Sequence, residues 1–391
     1  MNIQTKSADF RRAIVLASKV IERQNTIPIL GMVRCRLNGS FEAAGTDLDM
    51  QLTATVDRVP GDCADFVLQS PGSVVAALAA AGGDSVSMVP ADGTVLLTSG
   101  PLSVTVGTLP SDDFPANFER PLNPLFTATL SKDDVAMIAR VSDAISTEET
   151  RYYLNGLHMR NVGPTTVRIE ATDGHRLYFA DVEMPNATGS LPENCIIPRK
   201  VVRLLIDLAK SSDDGLQISV GTAALANSVD STAPERQSAP RFNMVMRERG
   251  TAITLQTKII DGTYPDVDRM VPKPGGKQFL FKAADLRRAI AAISGHSKNS
   301  RAARISLEPN GTAKITAAYL DAGLSFGVDV PCQHNAPGFA IGYNGRYLAS
   351  VISSCLGDEI LFDVSDPAAP GIVRDPADTA WTAVLMPMRV D

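Results

Sequence analysis

The sequence has little of what catalysis or membrane insertion usually requires. Five cysteines (Cys35, Cys63, Cys195, Cys332 and Cys355) are scattered over 391 residues with no CxxC pair. That spacing argues against a disulfide framework and a thiolate zinc site. The four histidines are equally dispersed, so no metal and no cofactor is expected. Nothing resembles a phosphate-binding P-loop. No run approaches the ~18 apolar residues of a membrane span. The opening "MNIQTKSADFRRAIVLASKV" mixes an acid and arginines with a short apolar stretch, unlike a secretory signal, and a cytoplasmic protein is expected. Positive charge is also short: 37 Lys and Arg against 43 Asp and Glu, a net charge of −6. Affinity for nucleic acid would need basic residues gathered on one surface.

What the chain has is repetition. "ADFRRAI" (Ala8 to Ile14) returns as "ADLRRAI" (Ala284 to Ile290), with a weaker copy, "DDVAMIARV", at Asp133 to Val141. A second apolar helix follows in each copy, at Pro71 to Gly82, Pro198 to Lys210 and Asn344 to Cys355. Strand pairs with a turn lie between the helices, and each copy closes on a Pro-bearing strand end, "TLPSDDFP", "IIDGTYPD" or "LMPMRV". Four features in one order, three times, read as three domains of ordinary size: 1–121, 125–271 and 276–391. Pro-rich joints separate them. An Ala/Ser/Thr/Pro-rich insertion at about 222–242 lengthens the middle copy and reads as an exposed connection between strands.

Placing residues at 100° intervals gives each helix a polarity. Phe10, Ile14, Ala17 and Ile21 fall opposite Arg12, Lys19 and Arg23. Val201, Leu204, Leu205 and Leu208 oppose Arg199, Arg203 and Lys210, and Arg288 opposes Leu286, Ile290 and Ile293. A charged helix face is ordinarily a solvated one. Basic faces recurring on repeated helices of an acidic chain would also suit a phosphate backbone, contacted without base readout. The Pro71 to Gly82 helix lacks Lys and Arg, so such a surface would be uneven.

The stretch "ATDGHRLYFA" places Asp173, His175 and Arg176 within four residues. They could serve as orienter, general base and anion clamp of a hydrolase. No nucleophile, metal set or phosphate loop accompanies them, and an aspartate in such a turn more commonly accepts backbone hydrogen bonds.

Several motifs together resemble one family. They are "TIPILG" (Thr26 to Gly31), "GTDLDM" (Gly45 to Met50), "TLPSDDFP", "RYYLNG" (Arg151 to Gly156), "ATDGHRL", "PRK" (Pro198 to Lys200), "DGTYPD" (Asp261 to Asp266) and "MPMR" (Met386 to Arg389). In this order they are similar to the bacterial DNA polymerase III β subunits, the β sliding clamps that give the replicative polymerase its processivity. The resemblance implies an α+β fold of three repeated clamp domains, the DNA clamp fold. Helices would line a ring hole and antiparallel sheets would form its outer wall, in a head-to-tail homodimer at the nucleoid. It implies a non-enzymatic chain encircling double-stranded DNA. Its partners would be the replicative polymerase catalytic subunit, the clamp loader and other proteins bearing Gln-Leu-x-Leu-Phe-like motifs.

Carried onto this sequence, the family's peptide pocket takes Leu154, Thr172, Gly174, His175, Arg176 and Leu177 on one side. Pro265, Arg269 and Met270 come from "YPDVDRM", and Asn344 and Tyr347 from the last helix. Met386, Pro387, Met388, Arg389 and Val390 complete it, with Asp391 an added acid beside it. Unbranched, polarizable methionines suit a site that accepts several partners. The DNA-facing set is Arg12, Lys19, Arg23, Gln24, Tyr152, Tyr153, Arg199, Lys200, Arg203, Lys210 and Arg288. Glu148 and Glu149 would oppose DNA beside it. Val104 and Val106 on an edge strand, with Ala292 and Ile293 at a helix end, are the implied dimer contacts.

Overall fold

The computed structural model describes residues 3–22, 26–223, 239–293, 302–319 and 323–389. Arg23, Gln24, Val390 and Asp391 lie outside the described residues, as do positions 224–238 of the insertion. The flanks of that insertion are strand, Leu216–Ala223 and Arg241–Glu248, paired antiparallel.

Among the described residues there are six α-helices: α1 (Ser7–Ala17), α2 (Pro71–Ala81), α3 (Lys132–Ser142), α4 (Arg199–Ala209), α5 (Ala283–Ile293) and α6 (Gly345–Ser354). They are the two helices expected in each copy, and local chemistry sets their ends. Proline opens α2, where a missing N–H costs nothing. Ser131 and Asp134 cap α3 reciprocally: Asp134 Oδ2 accepts from Ser131 N at 2.7 Å, and Ser131 Oγ accepts from Asp134 N at 3.2 Å. Asn344 caps α6 by accepting from Arg346 N.

Helix α1 buries Phe10, Ala13, Ile14 and Ala17, as its spacing predicts. Phe10 stacks on Phe41 at 4.9 Å; each such apolar side chain contributes about 1.5–3 kcal/mol by burial. The end of α1 sits so close to the strand Ser40–Thr46 that a Cβ on Gly45 would fall 2.2 Å from the Ala17 carbonyl oxygen. Glycine is required there by contact.

By its internal contacts the chain groups into two compact units: Met1–Val135 with Asn186–Pro192 and Arg203–Ile259, and Ala136–Pro185 with Glu193–Val202 and Ile260–Asp391. Each holds one antiparallel sheet, of thirteen and twelve strands respectively. Strand pairing joins successive copies. Thr251–Lys258 pairs along Met50–Asp57, from Thr251↔Val56 to Thr257↔Met50. Arg176–Glu183 pairs with Asp378–Leu385, from Arg176↔Leu385 to Ala180↔Trp381. Backbone hydrogen bonds thus cross both repeat boundaries, and the strands of the middle copy are shared between the two sheets.

In the second unit, alternation along Gly156–Asn161, Thr166–Thr172 and Arg176–Glu183 separates two faces. One carries Leu157, Met159, Val167, Ile169, Ala171, Tyr178 and Ala180, all buried. The other carries His158, Arg160, Arg168, Glu170, Leu177, Phe179 and Asp181. The segment after Ile260 packs on this second face.

Candidate functional site

The "TDGHR" turn is built from its own side chains. Thr172 Oγ1 donates to the Arg176 carbonyl at 2.7 Å and accepts from Gly174 N. Asp173 Oδ1 accepts from the backbone N–H groups of His175 and Arg176 at 2.9 and 3.1 Å. Gly174 sits at φ +86. The "TDLDM" turn of the first unit repeats the pattern: Thr46 Oγ1 donates to the Met50 carbonyl, Asp47 Oδ1 accepts from Asp49 N and Met50 N, and Leu48 takes the positive φ. A hydrogen-bond scheme that occurs twice is a folding device. It occupies the Asp173 oxygen that a catalytic pair would need, and the His175 ring stacks on Tyr347 at 5.5 Å instead.

Arg176 is also committed. Its guanidinium bonds to Asp173 Oδ2 (3.2 Å), Asp143 Oδ2 (3.0 Å), Tyr178 Oη (3.3 Å), Ser350 Oγ and the Asp143 carbonyl. It also lies over the rings of Tyr178 and Tyr347. Burial pushes the Tyr178 phenol up to about 12, so it stays protonated, and it is hydrogen-bonded to Ser350 Oγ at 2.8 Å. Arg176 therefore ties the turn to Asp143 at the end of α3 and to α6, rather than waiting as a free anion clamp. Sequence reasoning missed Asp143 and Ser350, which are remote in the chain. It also gave no role to Arg151, which donates to the Asp173 carbonyl at 3.1 Å and pairs with Glu148 at 2.8 Å. The hydrogen bond from Arg151 holds the Glu148 carboxyl below its usual range, so the pair stays ionised.

Of the residues inferred from sequence for the pocket, Leu154 and Leu177 come together in the second unit, and His175 meets Tyr347. Leu154, Leu177, Ile196, Tyr264, Val267 and Val384 form a small apolar cluster, with Tyr153, Phe179, Ile260 and Val271 against it. Tyr264, Val267, Ile196 and Val384 were not foreseen; the "YP" and "IIP" strings were the available signals. Three methionines are left in solvent: Met270, next to Val271 of this cluster, is 46% exposed, Met386, two residues after Val384, 43%, and Met388 36%. The C-terminal residues are held by backbone. Met386 N donates to the His175 carbonyl and Met388 N to the Gly342 carbonyl, both at 2.9 Å, and Pro387 bridges to Tyr343. A cleft of about 740 Å³ beside them is lined by Arg304, Gly342, Asp366, Pro387, Met388 and Arg389. Asn344 is taken up by capping α6, and Arg269 is paired with Asp266 at 2.9 Å.

The basic residues divide. Arg203 and Lys200 are exposed, Arg199 is half-buried, and Tyr152 is 54% exposed while Tyr153 packs on the apolar cluster. Arg12 donates to the Arg249 carbonyl at 3.1 Å and faces Asp9. Lys19 is not on α1, which ends at Ala17, so its place on a continued helical wheel does not hold. The Ser18 hydroxyl turns back onto the Ile14 carbonyl at 2.7 Å instead. Lys19 pairs with Asp207 at 2.6 Å, and Lys210 approaches the same carboxylate at 3.6 Å. Hydrogen bonding from Lys19, above all, holds Asp207 below the usual carboxylate range. Arg288 pairs with Asp285.

Of the expected dimer contacts, Val104 lies in the half of Leu102–Pro110 that pairs on one side only, and Ala292 is exposed. Val106 is 8% and Ile293 2% exposed. Ile293 continues the buried stripe of Leu286 and Ile290 at helical spacing, so its side chain belongs to the core of the chain.

Comparison with known proteins agrees with this architecture. Residues 129–266 match the family model of the DNA polymerase III beta subunit central domain, and residues 268–389 that of its C-terminal domain. The beta sliding clamp of Caulobacter vibrioides is 32% identical over 100% of both chains, and that of Pseudomonas aeruginosa 28% over 97% of each. Among solved structures, a sliding clamp (DNA polymerase III subunit beta) from Bartonella birtlesii bound to griselimycin superposes with a TM-score of 0.86 at 27% identity. Caulobacter crescentus pol III beta gives 0.84 at 26%, and both alignments cover all of each chain. On the repeated turns, the paired helices, the two antiparallel sheets and this full-length kinship, the chain belongs to the family of bacterial β sliding clamps, the non-catalytic processivity subunits of DNA polymerase III.

Proposed function

We propose that the chain encircles duplex DNA as a head-to-tail homodimer at the nucleoid, and that the methionine-rimmed patch of the second unit takes Gln-Leu-x-Leu-Phe-like segments of the replicative polymerase, the clamp loader and other partners. The carrying observation is the buried apolar cluster of Leu154, Leu177, Tyr264, Val267 and Val384, together with the exposed Met270, Met386 and Met388 on the segments that follow Val267 and Val384. Exposed, unbranched methionine side chains offer adaptable apolar contacts, and leucine and phenylalanine anchors suit them. Val104 and Ala292 would supply surface contacts of the ring. Sedimentation of the wild-type chain as a monomer at micromolar concentration would count against that ring.

Fluorescence anisotropy with a labelled Gln-Leu-x-Leu-Phe peptide tests the pocket. The expected dissociation constant is on the order of micromolar, about 8 kcal/mol. Met388→Ala should weaken binding tenfold or more. Absence of binding at hundreds of micromolar would remove the pocket from this reading.

The nucleic-acid reading is tested at Asp207, the carboxylate that occupies Lys19 and Lys210. Asp207→Asn should free two cations for phosphate contacts. The slope of log K against log salt on duplex DNA should then steepen by roughly 1–2, at about 0.9 for each phosphate neutralised. An unchanged slope would place these lysines away from the DNA.

A further inference from the structure

The face of the second sheet beneath the patch carries an arrangement that the peptide pocket does not itself use. Arg160 and Arg168 stand directly opposite each other on neighbouring antiparallel strands, and like charges so placed repel. The carboxylate of Asp268 sits between them, with Oδ2 accepting from Arg160 Nη2 at 2.7 Å and Oδ1 from Arg168 Nη1 at 2.8 Å.

Both guanidinium groups are held from behind. Arg168 makes a two-pronged contact with Asp181 at 2.6 and 2.7 Å and lies over the Phe179 ring at 4.8 Å. Arg160 reaches Glu170, which is 1% exposed, at 3.3 Å. The same glutamate bonds His158 at 2.6 Å, and His158 stacks on Tyr264 at 4.5 Å. Much of the entropic cost of fixing the arginine forks is thus already met by contacts within the sheet, and Asp268 arrives at a preformed anion seat.

Asp268 is the centre of the short 3-10 turn Val267–Arg269. On either side of it lie Pro265 and Met270, the pocket wall that is not part of any strand. The segment is also held by Tyr264 and Val267 in the small apolar cluster, by Val271 packed against it, by the stack of Tyr264 on His158 and by Tyr264 N donating to Asn194 Oδ1 at 3.0 Å.

We propose that Asp268, bridged between Arg160 and Arg168, is a positioning residue for the partner pocket: an ionic latch that fixes Pro265 and Met270 without touching the peptide. The inference rests on the pocket reading above and deepens it. It predicts that affinity for an apolar peptide responds to charges that lie outside the contact.

The test has one arm that needs no peptide. In the full chain carrying Asp268→Ala, tryptic cleavage after Arg269, read by mass spectrometry, should speed up about tenfold. The 13C-methyl resonance of Met270 should shift while those of Met386 and Met388 stay in place. The anisotropy arm should show peptide binding weakened about five- to tenfold. Adding Arg160→Met and Arg168→Met to Asp268→Ala should weaken it no further, because coupled groups fail to add. A general loss of folding would instead move all three methionine signals, and Asp268→Asn then serves as the milder variant. Unchanged cleavage and an unmoved Met270 signal would overturn the latch, even if the wild-type chain bound no peptide. A loosened segment with undiminished peptide affinity would overturn the positioning role.

Discussion

Replacing Trp381 with alanine should destabilise the second unit by about 3–5 kcal/mol, the range for emptying a large aromatic site in a core. Trp381 is 0% exposed. Its indole meets Tyr178 edge-on at 5.6 Å and lies under the Arg140 guanidinium at 4.9 Å. Arg140 is in turn bonded to the Ser354 carbonyl at 2.8 Å and paired with Asp378, so the cavity would open beneath a charge that is itself only 10% exposed. The site cannot collapse easily, because Trp381 sits opposite Ala180 on the seam that joins the middle copy to the last. Trp381→Phe is the informative companion. Among the described residues the indole N–H meets no hydrogen-bond partner, and leaving such a group buried costs about 1–3 kcal/mol. Removing it should offset part of the lost packing and leave the phenylalanine variant within about 1.5 kcal/mol of wild type. The chain has a single tryptophan, so urea unfolding must be followed by circular dichroism. An alanine variant within 1 kcal/mol of wild type would mean that the seam repacks freely.

What could be read in the sequence was local. Helix positions followed from apolar spacing and from repetition, and the three-copy pattern anticipated two helices per copy. Asp173 as a turn-former was legible because side chain and acceptors lie within three residues. What was not legible depends on residues far apart in the chain. The pairing of Met50–Asp57 with Thr251–Lys258 merges sheets across a repeat boundary, and no motif announces it. Lys19 seemed free on a helical wheel; the helix stops two residues earlier, and Asp207, 188 positions away, occupies its ammonium. Ile293 was read as a surface contact by position in a family, whereas its own helical spacing already put it with Leu286 and Ile290. The pocket floor followed the same rule: Met388 and Leu177 stood in recognisable strings, but Tyr264 and Val267 acquire meaning only once their segment lies on the sheet.

Arg176→Met should weaken peptide binding at least tenfold, or 1.4 kcal/mol, and lower the stability of the second unit by about 2–3 kcal/mol. Methionine keeps much of the stem's volume, so the loss isolates the guanidinium. That group is 11% exposed and bonds the turn, the end of α3 and α6 at once. Breaking a buried ion pair costs about 3–5 kcal/mol. The estimate is set lower because Asp143 is 53% exposed and can be rehydrated, while Asp173, at 15%, cannot do so as well. Without the guanidinium, the Tyr178 hydroxyl, Ser350 and Asp143 keep only their bonds to one another and lose their tie to the turn, and Tyr347 loses the cation over its ring. The His175–Tyr347 stack should open, and with it the hold of the His175 carbonyl on Met386. Arg176→Lys separates charge from shape. An ammonium can meet one carboxylate but cannot serve Asp173, Asp143 and Ser350 together, so lysine should recover less than half of the lost affinity. If lysine restored both binding and unfolding midpoint to wild-type values, a single positive charge would suffice, and the three-way fork would not be what holds this wall of the pocket in place.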